Sequence, residues 1–153
     1  MRPRYLADTL LFIALLVMPA TMAHAEDKPY TVIRPEQLKW ATPAGSLPTG
    51  SETLVLLGNP AKEGPFVLRL KLPAGTVIRP HKHSTDEIVT VMSGELGVGV
   101  GDTPDPTGIM RLPPGSFMHL RAGTPHYARI EVETVLQING IGPLDRIFVT
   151  PKD

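Results

Sequence analysis

Cysteine is absent from the 153-residue chain, which excludes a disulfide framework, a thiolate nucleophile and a sulfur-ligated metal. Aromatic residues are scarce, at 5%, and the formal net charge is zero. A balanced charge provides no basic surface, so we expect neither nucleic acid nor an anionic membrane surface as a partner. The chain is instead rich in aliphatic residues interrupted by 14 glycines and 17 prolines. This mixture is typical of one domain built from many short strands and tight turns.

The first 25 residues have the three parts of a signal peptide. Arg2 and Arg4 supply a positive start, residues 10–18 form an apolar run, and Ala23-His24-Ala25 offers a small-x-small cleavage site. The apolar run is too short to span a membrane, which takes about 20 residues. We therefore predict cleavage after Ala25, export to the periplasm or beyond, and no membrane attachment of the mature protein.

The mature chain divides into a lead-in segment, residues 26–52, and a folded domain, residues 53–150. Residues 66–72 alternate apolar with other side chains, which predicts a strand with Arg69 on the face opposite the leucines. Two positions are open for Arg69. It is either solvated, or it enters a cavity where its planar fork binds a substrate carboxylate.

Residues 75–94 contain two histidines one residue apart and a glutamate four residues further on. His81 and His83 project from the same face of a strand, because side chains in a strand alternate with a period of two. A turn at residues 84–86 would return Glu87 to their side, and His126 is the best candidate for a fourth ligand. Imidazole nitrogens and a carboxylate directed at one point suit a divalent transition metal.

The spacing in this stretch resembles the first sequence motif of the cupin superfamily. The motif is matched by Gly75, five residues, His81-x-His83, three residues, Glu87, six residues and Gly94. It is specific for the fold and for the metal ligands, but not for the substrate, since one barrel carries many chemistries.

Residues 115–130 are similar to the second cupin motif. Gly115, Gly123 and His126 are in place, whereas Arg121 stands where the motif has proline and Ile130 where it has asparagine. The resemblance implies an all-β, cupin-type jelly-roll barrel (a double-stranded β-helix). It also implies one mononuclear metal held by three histidines and Glu87.

The identity of the metal is open between two arguments. A protein exported unfolded acquires its metal outside the cytoplasm, where the affinity order favours copper, then nickel or zinc. The family resemblance instead favours iron or manganese.

Two further residues are candidates for orienting a ligand or moving a proton, alongside Arg69. His119 shares parity with Phe117 and Arg121 and is expected near the site or on the surface. Gln137 lies in the middle of a predicted strand, where its amide contacts a ligand inside the barrel or is satisfied outside it.

Three functions follow as expectations. The first is binding of a small oxygen-rich or carboxylate-bearing molecule at the metal, with dioxygenase chemistry. The others are a non-catalytic periplasmic metal or ligand carrier or sensor, and an isomerase, lyase or decarboxylase. Because jelly-roll barrels have edge strands to cover, we also expect a homodimer.

Overall fold

Two five-stranded antiparallel sheets make up the part of the chain that the computed structural model describes, residues 29–43 and 47–150. The strands are β1 (Glu52–Leu57), β2 (Gly64–Leu72), β3 (Val77–Lys82), β4 (Glu87–Ser93), β5 (Leu96–Val100), β6 (Met110–Leu112), β7 (Phe117–Leu120), β8 (His126–Arg129), β9 (Thr134–Gly142) and β10 (Ile147–Phe148). The predicted signal peptide, residues 1–25, lies outside the described residues. Its cleavage and the export of the protein stay predictions.

Most connections along the chain cross between the two sheets. Sheet A has the order β1-β2-β9-β4-β7, and sheet B has the order β10-β3-β8-β5-β6. From β2 to β5 the chain therefore passes from one sheet to the other at each connection, which is the wrapping of a jelly roll. The predicted fold class is confirmed.

The inner faces of the two sheets form one apolar core. In β2 the alternation predicted from the sequence is present, with Phe66, Leu68, Leu70 and Leu72 all buried. Burying a side chain of this size stabilises the fold by about 1.5–3 kcal/mol relative to leaving it exposed. Ile130, which replaces the motif's asparagine, is fully buried in the same core.

The last strand is short. β10 comprises only Ile147–Phe148. The residues before it form a loop whose Asp145 hydrogen bonds to His83 and Ser84 instead of to a neighbouring strand. Within the described residues, no helix is long and apolar enough to cross a bilayer.

Candidate metal centre

Three strand ends bring the predicted ligands together. His81 lies in β3, His83 follows that strand, and Glu87 begins β4. His126 begins β8 and pairs with His81 in the β3–β8 ladder. Residues paired in an antiparallel ladder have adjacent side chains on the same face. Strand register therefore accounts for the proximity of two of the histidines.

The turn before β8 links His126 to His83. Gly123 adopts a positive φ of 77°, a conformation that favours glycine. Its N–H donates to the carbonyl of His83 at 2.8 Å, and the Thr124 N–H donates to the carbonyl of Arg121 at 3.1 Å. The turn thus closes with arginine in place of the motif's proline.

The glycine that ends the first motif also has a steric role. Gly94 has a φ of 76°, and a Cβ atom added there would lie 2.3 Å from the carbonyl oxygen of Glu133. Only glycine fits the turn between β4 and β5 without displacing the start of β9.

All three histidines are fixed through the same ring atom. The Nδ1 atom of His81 hydrogen bonds to the carbonyl of Arg79 at 2.9 Å, and that of His126 to the carbonyl of Thr124 at 3.1 Å. The Nδ1 atom of His83 hydrogen bonds to the carbonyl of Asp145. A carbonyl oxygen can only accept, so each Nδ1 carries a hydrogen and each neutral ring has its lone pair on Nε2.

These lone pairs converge in a buried site. One ligand nitrogen from each of His81, His83 and His126 lies within 4.8 Å of the others, and all three residues are at most 5% exposed. The Oε2 atom of Glu87 lies 3.5 Å from His83 Nε2 and 3.4 Å from His126 Nε2. His83 Nε2 is buried without a hydrogen-bond partner. A buried nitrogen acceptor without a hydrogen-bond partner, close to two other imidazoles and a carboxylate, fits a ligand of a divalent metal ion.

Burial and charge set the protonation of this group. Burial lowers the pKa of His81 to about 4, against an opposing effect of its hydrogen bond to the Arg79 carbonyl. Burial acts to raise the pKa of Glu87, but its close contacts with His126 and His83 outweigh that effect and leave the pKa below its usual value. The site therefore favours neutral imidazole at His81 and an ionised Glu87 at neutral pH, the forms that bind metals.

Arg146 is a cavity residue that the sequence did not indicate. Together with His81, Glu87 and His126, it lines a small cavity of about 50 Å³ at the centre of the barrel. Burial lowers the pKa of Arg146, and the nearby charge of Glu87 opposes that effect. Its neighbour in the sequence, Asp145, carries the carbonyl that binds His83. A signal for this role is hard to find in the sequence, because the side chain enters the cavity from an irregular loop.

Arg69 and Gln137 lie on the opposite face of sheet A. They pair across β2 and β9, and Arg69 Nε donates to Gln137 Oε1 at 3.3 Å. The adjacent Leu70 and Leu136 line the central cavity, whereas Arg69 and Gln137 do not. For both residues, the structure has the outward-facing position of the two that the sequence left open. Their catalytic role stays a prediction, and neither residue lines the central cavity.

His119 lies on the same outer face and is exposed. Its Nε2 is 2.8 Å from the carboxylate of Asp86, which also accepts from the Ala122 N–H at 2.8 Å. These hydrogen bonds, that of Ala122 first, lower the pKa of Asp86. Asp86 thus ties the start of β4 to the end of β7, next to Glu87. Among the contacts of the described residues, none joins His119 to the three inner histidines.

Comparisons with known proteins agree with this architecture. The sequence profile of the family described as "Cupin domain" matches residues 68–138, and the search of curated protein sequences found no match. The fold is similar to that of the polyketide cyclase RemF from Streptomyces resistomycificus, at 12% identity and a TM-score of 0.67 over 81% of this chain and 88% of that chain.

Two further solved structures have similar folds. An acetylacetone dioxygenase from Acinetobacter johnsonii is 19% identical, with a TM-score of 0.59 over 77% of this chain and 76% of that chain. KdgF from Halomonas sp. is 19% identical, with a TM-score of 0.56 over 73% of this chain and 95% of that chain. The profile match identifies residues 68–138 as a cupin domain, and the two-sheet topology and the shared folds agree with a cupin-type fold.

Proposed function

We propose that the protein is a metal-dependent cupin that binds a small oxygen-donor molecule at one divalent transition metal, held by His81, His83, His126 and Glu87. The observation that carries this proposal is the common orientation of the three imidazoles. Each donates Nδ1–H to a main-chain carbonyl, and one nitrogen of each ring lies within 4.8 Å of those of the other two. Metal-ligating histidines typically have this arrangement, since the outer hydrogen bond fixes the tautomer and ring orientation.

The ligand set leaves room for a reacting molecule. Three imidazoles and one carboxylate fill four positions around ions that often take five or six. A divalent ion held there would supply Lewis acidity toward oxygen donors and, if it is iron, manganese or copper, redox chemistry with dioxygen. The chain itself contributes a fixed ligand geometry, one compensating negative charge from Glu87, and apolar walls such as Val89 and Ile138 that exclude water.

We favour dioxygenase chemistry among the possible reactions, and an acetylacetone dioxygenase among the similar folds supports this choice. A polyketide cyclase with a similar fold supports an isomerase, lyase or related activity as an alternative.

A non-catalytic carrier or sensor is the second candidate, and a specific observation favours it. Among the described residues that line the central cavity, Arg146 is the one charged residue besides the proposed ligands, and no separate acid or base is seen. We also propose that the protein acts after export, in the periplasm or outside the cell.

Metal analysis followed by substrate screening tests the proposal. Mass spectrometry of the purified full chain should find about one transition-metal ion per chain, and Glu87→Ala should lower that content. Oxygen uptake is then measured over a panel of diketones, phenols and hydroxy acids. Consumption of one class supports the dioxygenase. Bound metal without turnover of any compound supports the carrier, and failure to bind iron, manganese, copper, nickel or zinc overturns the metal site.

A further inference from the structure

The central cavity is too small for an organic ligand. Its volume is about 50 Å³, well below the roughly 300–1,000 Å³ usual for small-molecule sites. Its apolar lining includes Leu70, Val89 and Ile138. The body of an organic ligand must therefore lie outside this cavity.

A larger pocket is lined by His83, Asp145 and Arg146. Its volume is about 400 Å³, within the range of roughly 300–1,000 Å³ usual for small-molecule sites. We call it the mouth pocket. Its apolar lining includes Val55, Leu68 and Leu144, and its charged lining includes Asp145 and Arg146. The mouth pocket is thus largely apolar, with its charged groups on the side that carries His83.

Arg146 lines both spaces, since it is part of the central cavity and of the mouth pocket. Its guanidinium carries five N–H donors in a planar fork whose geometry matches a carboxylate. The main chain at this point is restrained, because the Asp145 carbonyl binds His83 and the Asp145 carboxylate accepts from the Ser84 N–H at 2.8 Å. A restrained attachment lowers the entropy lost when the arginine binds a ligand.

The charges favour an anion. With the metal of the proposed function in place, a divalent cation and the Arg146 guanidinium supply positive charge, and the single buried carboxylate of Glu87 supplies one negative charge. The Asp145 carboxylate adds negative charge at the mouth, but Ser84 donates to it from both its N–H and its hydroxyl. An excess of positive charge in a poorly solvated site attracts anions and repels cations.

We infer that Arg146 selects the ligand of this site as a monocarboxylate with an apolar body, whose carboxylate binds the guanidinium and whose body occupies the mouth pocket. This inference rests on the proposed function for the metal's charge and names its substrate class. The apolar lining at Val55, Leu68 and Leu144 matches the body, and the planar fork of arginine matches a carboxylate through two parallel hydrogen bonds.

Binding of benzoate and of its neutral isostere benzamide to the zinc-loaded protein tests the inference, measured by isothermal titration calorimetry. Zinc is chosen because it has no redox chemistry. Wild type should bind benzoate in preference to benzamide. Arg146→Met should weaken benzoate at least about 10-fold and leave benzamide unchanged, since a hydrogen bond to a charged group contributes about 1.5–3 kcal/mol. Arg69→Met is the matched control, because it removes an arginine from the outer face and should leave benzoate affinity as in wild type.

Two further measurements test the inference if a variant does not fold or if the metal is absent. If Arg146→Met does not fold, the Nε–H resonance of Arg146 in wild type should shift on addition of benzoate and not of benzamide. If wild type retains no metal, the proposed function fails, and benzoate binding by the metal-free protein and its Arg146→Met variant then decides the inference alone. Equal affinity of wild type for the two probes, no binding of benzoate at millimolar concentration, or an equal loss in Arg69→Met would each overturn it.

Discussion

The inner face of the barrel and the outer face of sheet A use the same residue types in opposite ways. Inside, His81, His83 and His126 are buried, and each is held by a main-chain carbonyl that leaves one ring nitrogen facing the centre. Outside, His119 is exposed and directs its Nε2 to a carboxylate, and Arg69 hydrogen bonds to Gln137. Polar side chains outside are paired with one another, whereas those inside are oriented toward a common point. The second arrangement is the one expected of a binding site.

Removing one histidine from each face tests this contrast most directly. His81→Ala should reduce the metal content from about one ion per chain to none detectable, because the three converging nitrogens become two. His119→Ala should retain the metal of wild type. Mass spectrometry of both purified variants measures the effect. Loss of metal from both, or from His119→Ala alone, would contradict the assignment of the inner face.

Acid should destabilise the metal-free protein through the inner face. The pKa of His81 is lowered from 6.5 to about 4 by burial, so between these values the unfolded chain binds a proton that the folded chain does not. Stability is therefore present above pH 6.5 and falls as the pH drops to 4, by about 3 kcal/mol at roughly 1.4 kcal/mol per pH unit. Asp86 and Asp145 have pKa values below their usual ones and lose their contribution at lower pH.

Urea unfolding of the metal-free protein across this range measures that loss. His81→Gln should flatten the dependence between pH 6.5 and pH 4. A wild-type free energy of unfolding that stays constant over the window would refute the effect of burial on His81.

Altering the loop that supports His83 should reduce metal affinity less than removing a ligand does. Asp145→Ala removes the carboxylate that binds Ser84 while leaving the carbonyl that binds His83. A looser loop should weaken metal affinity about 10-fold, the lower end of what is usual for groups that orient a ligand. Competition with a metal chelator measures the affinity, and Asp102→Ala, on an exposed loop, is the control. Unchanged affinity in Asp145→Ala would show that the main chain alone fixes His83.

The smallest effect is expected on the outer face. Lys71 forms an ion pair with Glu52 at 2.5 Å and lies over the ring of Trp40 at 4.5 Å, in a partly exposed position. Lys71→Met should lower the free energy of unfolding by less than about 1 kcal/mol, because solvent screens such pairs. Its metal content should equal that of wild type. A metal loss in this variant would mean that the two faces are coupled, contrary to the comparison above.

Much of the fold follows from the sequence. The alternation in residues 66–72 predicts β2 and identifies its buried face, and the spacing of His81, His83 and Glu87 identifies residues that the structure brings together with His126. These features are local or belong to a motif of fixed spacing. They depend on strand periodicity and on the turns between strands.

The arginine of the cavity could not be predicted in the same way. Periodicity places Arg69 opposite the leucines of β2, but the sequence left both a solvated and a cavity position open for it. Arg146 follows an irregular loop, where parity carries no information, and its position depends on the long-range hydrogen bond between Asp145 and His83. Contacts of this kind arise only when distant segments pack.

The loop that contains Asp145 and Arg146 has a consequence for protein engineering. Because two consecutive residues support a ligand of the proposed metal and border the pocket beside it, substitutions intended to change substrate preference would also alter metal retention. Variant libraries aimed at new substrates should therefore hold residue 145 constant and vary other lining residues of the mouth pocket, such as Val55 and Leu68.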